Sequence, residues 1–155
     1  MGVKALKSGM LIFSFLVGLI GMEWVADATH KYLMHGPFWF FHKDHHRPGD
    51  GFFQRNDFFF LIFAIPSWLS IMLGMQFAIY PVVAFGFGVA GYGAIYVAVH
   101  ELLIHRRLNV IPMVRHGYWS RVVGAHRQHH SSVAKNGYGN FGLLWLPSKQ
   151  PAEKR

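Results

Sequence analysis

The chain contains no cysteine. Disulfides, thiolate nucleophiles and cysteine-ligated iron-sulfur clusters are therefore excluded, and any bound metal must rest on nitrogen or oxygen donors. Charge is also scarce. Only 14% of the residues are Asp, Glu, Lys or Arg, against 52% hydrophobic and 17% aromatic, a balance too apolar for an ordinary soluble domain. From Phe58 to Val99, 42 residues pass without one charged side chain. As helix they would extend about 60 Å, enough to cross a ~30 Å hydrocarbon layer twice. Pro66 and Pro81 punctuate this run, and Gln76 and Tyr80 suit the headgroup region between them. The expectation is a hairpin of spans, Phe58 to Met75 and Val82 to Val99.

An earlier span is expected from Met10 to Ala28. Glu23 and Asp27 make its second half too polar for lipid, so both acids should face protein. Lys4, Lys7, the apolar stretch and Ala26-Asp27-Ala28 also have the parts of a cleavable signal peptide. The basic residues downstream argue for a retained span. Acids number only seven against fifteen Lys and Arg, for a net charge of +8. If the hairpin turn faces outward, thirteen of those fifteen lie on the cytoplasmic side and only Lys4 and Lys7 outside. The excess then reads as attraction to anionic lipid, and no soluble basic fold suggests nucleic acid. The expected architecture is all-α: one domain over residues 1–155, a membrane helical bundle of three to four spans with its histidines at the cytoplasmic face. The polar tail from Ser148 to Arg155 is expected to fray.

What the chain has in excess is histidine, eleven in all. Ten fall in a pattern that occurs twice, each time after an inward-running span. His30-x4-His35 precedes His42-x2-His45-His46, and His100-x4-His105 precedes His126-x2-His129-His130. His116 stands apart. On a helix, residues three and four apart share a face, so each H-x2-HH trio is expected to converge on one point as a three-nitrogen donor. Residues five apart lie about 140 degrees round a helix and do not form a simple pair. They either straddle two metals or sit where the helix unwinds, as Gly36-Pro37 would permit after His35. Ten nitrogens suit two ions with five ligands each and an open position, whereas one tetrahedral zinc needs four. Imidazole accepts zinc, copper, nickel and iron, so the ligand type does not name the metal.

Spacing also nominates partners for the imidazoles. Glu23, Asp27 and His30 follow one another at helical intervals, and Glu101 precedes His105 by four, so these acids can accept a ring N–H. Tyr92, Tyr96 and His100 form another i, i+4 stripe. Gly86-x-Gly88-x-x-Gly91 matches a dinucleotide fingerprint but lies inside an apolar span with no preceding strand, so no nicotinamide or flavin site is expected. Gly86, Gly88 and nearby alanines instead suit close helix contact.

Together, ATHKYLMHG, HKDHH, HELLIHRR, AHRQHH and the closing GYGNFGLLWLP resemble the bacterial beta-carotene hydroxylases of the fatty-acid hydroxylase and sterol desaturase superfamily. The resemblance covers nearly the whole chain. It implies that His30, His35, His42, His45, His46, His100, His105, His126, His129 and His130 ligate two iron ions. No haem, flavin or NAD would be bound, and no catalytic side chain beyond the metal centre is needed. The implied reaction is O2-dependent hydroxylation of carbon 3 of a beta-ionone ring, from beta-carotene through beta-cryptoxanthin to zeaxanthin. Electrons would come from reduced ferredoxin and its reductase. Arg47, Arg106, Arg107 and Arg127 can dock such an acidic donor or bind lipid headgroups. A fatty-acid or sterol hydroxylase and a membrane metal-binding protein are the alternatives.

Overall fold

The computed structural model describes residues 2–47, 51–135 and 139–146. The polar tail from Ser148 lies outside them. Among the described residues there is no strand. Three long helices form the bundle: α1 (Gly2–Ala28), α3 (Phe58–Gln76) and α4 (Tyr80–Tyr96). A single turn, α2 (Trp39–His42), and a lower helix, α5 (Gly117–His130), complete the set. Among the described residues, three stretches are long and apolar enough to cross a membrane: Lys4–Met34, Arg55–Gln76 and Tyr80–Ile104. The outward faces of these helices are apolar and exposed, as at Phe13, Ile62 and Trp68, which in water would form a patch far larger than monomers tolerate. The 14 residues of α5 reach only about 21 Å, and its apolar face is spent on protein, so it is not a fourth span.

The central helix is α4, and its glycines explain why. An added Cβ on Gly88 would come within 2.2 Å of the Phe15 carbonyl oxygen on α1, while one on Gly86 would meet the Ser67 carbonyl oxygen on α3 at 2.9 Å. The two glycines therefore serve opposite faces of one helix, letting both neighbours approach at backbone distance. Gly18 does the same from the α1 side, where a Cβ would lie 2.4 Å from the Phe85 carbonyl oxygen. The Ser67 hydroxyl donates to the Gly86 carbonyl at 2.9 Å, satisfying a polar group where lipid offers none. The pairings Phe15 with Gly88 and Glu23 with Tyr92 make α1 and α4 parallel, whereas Ser67 with Gly86 and Gly74 with Val83 make α3 and α4 antiparallel.

The hairpin breaks where expected, by a specific device. Ile79 N–H bonds the Gly74 carbonyl at 2.8 Å and Ala78 N–H bonds that of Met75 at 3.3 Å, the double closure of a Schellman motif. It requires a left-handed residue, and Ala78 occupies that position at φ 55°. Below the spans, Val122 and Val123 of α5 pack with Val99, Ile104 and Leu143 into a second small core. That core holds α5 and the segment 139–146, here called the strap, against the bundle.

Candidate metal centre

Neither the first nor the third span ends as an α-helix. α1 continues as a π-helical segment, Thr29–Met34, and α4 as another, Val97–Ile104. Their diagnostic bonds join the very histidines spaced by five: His35 N–H to the His30 carbonyl at 3.0 Å and His105 N–H to that of His100 at 2.9 Å. An i to i+5 bond stacks residues five apart, removing the 140-degree divergence of an α-helix. This resolves the H-x4-H spacing in favour of local unwinding, with both rings presented to one side.

The ten clustered histidines come together as two groups of five. His30, His35, His42, His46 and His129 form one, and His45, His100, His105, His126 and His130 the other; within each, the candidate ligand nitrogens lie within 4.8 Å of one another. The H-x2-HH trios do not converge on single points as the spacing suggested. His42 and His46 stay with the first group while His45 crosses to the second; His126 and His130 stay with the second while His129 crosses to the first. The reason is angular. Adjacent residues on a helix diverge by about 100 degrees, so His129 and His130 on α5 cannot both aim at one point, and His45 and His46, in the turn after α2, part in the same way. The i, i+4 pair shares a site and the middle histidine reaches across. His116 is exposed at the start of α5, outside both groups.

The ring orientations are fixed from outside. In the first group Nδ1 of His30 donates to the Phe141 carbonyl (2.9 Å), of His35 to that of Lys135 (2.8 Å), of His46 to that of Ser132 (3.0 Å) and of His129 to that of Gly139 (3.3 Å). Nδ1 of His42 bonds Asn56 Oδ1 at 2.6 Å. A carbonyl only accepts, so each of these Nδ1 atoms carries the proton and each Nε2 presents a bare lone pair inward. Those lone pairs then face one another: Nε2 of His42 is 3.0 Å from that of His30 and 3.1 Å from that of His46. In the second group, Nε2 of His105 and His126 stand 3.1 Å apart, and Nε2 of His130 is buried with no hydrogen-bond partner. Converging lone pairs repel unless a cation lies between them. Two nitrogens bound at about 2.1 Å and at right angles on one ion stand about 3.0 Å apart, against about 3.4 Å for a tetrahedral pair. The donor set thus fits ions with more than four ligands.

Burial keeps the imidazoles neutral and ready to bind. It holds His42 at about 3 and both His46 and His105 at about 4; burial together with the neighbouring His105 and His46 rings takes His130 to about 2.

The partners that spacing nominated are only partly the ones found. Glu101 accepts from Nδ1 of His100, its neighbour in sequence, at 2.6 Å, where His105 was expected, because the π segment turns the acid away from the i+4 position. Glu23 is engaged elsewhere: its carboxylate accepts from the Tyr92 hydroxyl at 2.9 Å and from the Leu144 and Trp145 N–H groups at 2.6 and 2.8 Å. Asp27 is half-buried beside Gly142 and makes no hydrogen bond to an imidazole. Tyr96 stacks on His100 with ring centroids 4.5 Å apart. Sequence reasoning missed Asn56, Gln54 (2.8 Å from Nδ1 of His45) and the carbonyls around the first group. No residue-type signal marks a carbonyl, but the pair of amides just before α3 was visible. Arg107 is not a free docking cation: it is bidentate to Asp57 at 2.6 and 3.0 Å.

Two openings reach the centre from different sides. An apolar cavity of about 300 Å³ is lined by Phe59, Phe63, Tyr96, Phe141 and Leu143, with His30 and His42 of one group and His100 and His126 of the other. A polar one of about 360 Å³ is lined by His45, His46, Gln54, His105, His130 and the arginines at 47 and 127.

A family model described as fatty acid hydroxylase matches residues 15–146, which include all ten clustered histidines. A beta-carotene hydroxylase of Pantoea ananas is 41% identical over 131 residues, covering 84% of this chain and 74% of that protein. One from Pseudescherichia vulneris is 36% identical over 146 residues, 93% of this chain and 81% of the relative. A chloroplastic beta-carotene hydroxylase of Capsicum annuum is 38% identical over 72% of this chain but 36% of its own length. No solved structure matches.

Proposed function

The chain belongs to the fatty acid hydroxylase family, and from that premise we propose that it is a beta-carotene 3-hydroxylase of a bacterial cytoplasmic membrane. The observation that carries this reading is one apolar cavity faced by histidines of both five-nitrogen groups. The first group would hold one iron ion and the second another; when bound, the pair supplies activation of dioxygen. The net reaction replaces a C–H bond by C–OH, sends the second oxygen atom to water and consumes two electrons and two protons.

The chain's own residues do the rest. Phe59, Phe63, Phe141 and Leu143 offer a ring-sized apolar wall that excludes water and leaves the polyene to the bilayer. The Nδ1 partners lock every ring of the first group in one tautomer. The polar opening suits cytoplasmic reductant and protons, and Arg47 and Arg127 at its mouth match an acidic donor such as reduced ferredoxin. The basic excess supports a cytoplasmic orientation of this face. Expression in cells that accumulate beta-carotene tests the reading, with beta-cryptoxanthin and zeaxanthin expected. Unchanged beta-carotene beside folded, iron-loaded protein refutes it. An oxidised acyl chain or sterol instead moves the assignment to the fatty-acid or sterol branch that the family's name allows.

A further inference from the structure

The two groups of histidines differ in what stands behind them. All five rings of the first group lean on neutral oxygen: four backbone carbonyls and the Asn56 amide. In the second, His45 leans on the Gln54 amide but His100 gives its Nδ1 proton to a carboxylate, Glu101, at 2.6 Å. That carboxylate is not free to turn. Its other oxygen lies 2.6 Å from Arg107 Nε, Arg107 is bidentate to Asp57, and the Arg107 N–H bonds the Glu101 carbonyl at 2.9 Å. Glu101, Arg107 and Asp57 together carry one net negative charge beside the second group. No carboxylate hydrogen-bonds His30, His35, His42 or His46 among the described residues.

Resting on the two-metal reading above, we propose that Glu101 makes the two metal sites inequivalent, acting as a positioning residue through His100. A carboxylate drawing on Nδ1–H places electron density on Nε2, so His100 becomes a stronger donor than any ring backed by a neutral oxygen. The second site, His45, His100, His105, His126 and His130, is then the tighter one. It fills first.

The test is a titration of metal-free full-length protein in detergent micelles with cobalt(II) against a competing chelator. Wild type should take up two ions in two resolved steps. In Glu101→Gln, which keeps an oxygen near Nδ1 but removes the charge, the tight step should weaken 10- to 100-fold, roughly the effect of losing such a partner, while the weak step stays within about threefold. In a His35→Ala background only the tight step should remain, and adding Glu101→Gln should weaken that step. Iron-loaded wild type should show two distinct Mössbauer doublets, one of which shifts in the variant. A merely structural role for Glu101 would lower both affinities together. Equal loss in both steps, or no change in either, overturns the inference while a stoichiometry of two leaves the di-metal reading intact. A stoichiometry of one or none overturns both.

Discussion

Replacing Glu23 by Ala should loosen the strap and, through it, the first metal site. Glu23 is only 7% exposed, yet it receives three donors from two other segments: the Tyr92 hydroxyl of α4 and the backbone N–H groups of Leu144 and Trp145. Ala leaves all three without an acceptor, at about 1–3 kcal/mol for each buried donor. Allowing the strap to peel and recover some hydration, the loss should be roughly 3–6 kcal/mol, a large share of the ~5–15 kcal/mol typical of a domain. At about 2–4 °C for each kcal/mol in a chain of this size, the midpoint should fall by roughly 6–24 °C. Gln keeps an oxygen for the two backbone donors, and the Tyr92 hydroxyl can turn to accept from its amide, so Glu23→Gln should lose about 1 kcal/mol or less. Thermal unfolding in detergent by circular dichroism measures the midpoints, and fluorescence reports the strap through the Trp24–Trp145 contact, with rings 6.3 Å apart. The strap also supplies the Phe141 carbonyl to His30 and packs the Phe141 ring against His30, His35 and His129, so cobalt binding at the first site should weaken in Glu23→Ala. A midpoint within 2 °C of wild type, given the ~6 °C minimum expected, would refute the reasoning.

Ala78→Gly should stabilise the hairpin by about 0.5–1 kcal/mol, because Ala78 holds a left-handed conformation that glycine adopts freely; a lowered midpoint would contradict the Schellman assignment. His45→Ala and His129→Ala should each abolish pigment hydroxylation, and each should weaken cobalt binding at the site opposite to that of its H-x2-HH partners, while His116→Ala retains activity. Acid should destabilise the metal-free protein. Free histidine protonates near 6.5, whereas folded His46 and His105 are held at about 4, so the unfolded chain binds more protons below pH 6.5. Stability contributed by these rings is present above pH 6.5 and lost as pH falls toward about 4, which a pH series of unfolding midpoints checks.

Much of this arrangement was legible from residue types. The charge-free run and the prolines predicted three helices, and the acids in the first predicted that its second half turns Glu23 and Asp27 toward protein. The doubled histidine pattern picked out all ten clustered rings. The exchange of His45 and His129 between groups was not legible as a convergence of trios, although the 100-degree divergence of adjacent residues already forbade that. The π segments were open alternatives because spacing alone does not say where a helix unwinds. Glu101 was named for the wrong histidine for the same reason. The carbonyls of Phe141, Ser132, Lys135 and Gly139 left no trace in the sequence, since every residue carries one.

The crossing of His45 and His129 has a consequence for the unfolded chain. An ion at the first site would tie His35 to His129, 94 residues away, and one at the second would tie His45 to His100 across 55. Each bridge closes a long loop that an unfolded chain would otherwise leave open, and in the chain-entropy account of covalent cross-links a 100-residue loop corresponds to about 4.7 kcal/mol. A protein with no cysteine thus has the topology of a doubly bridged one. Two long loops would be clamped by coordination bonds, and chelation would act on it as reduction acts on a secreted domain.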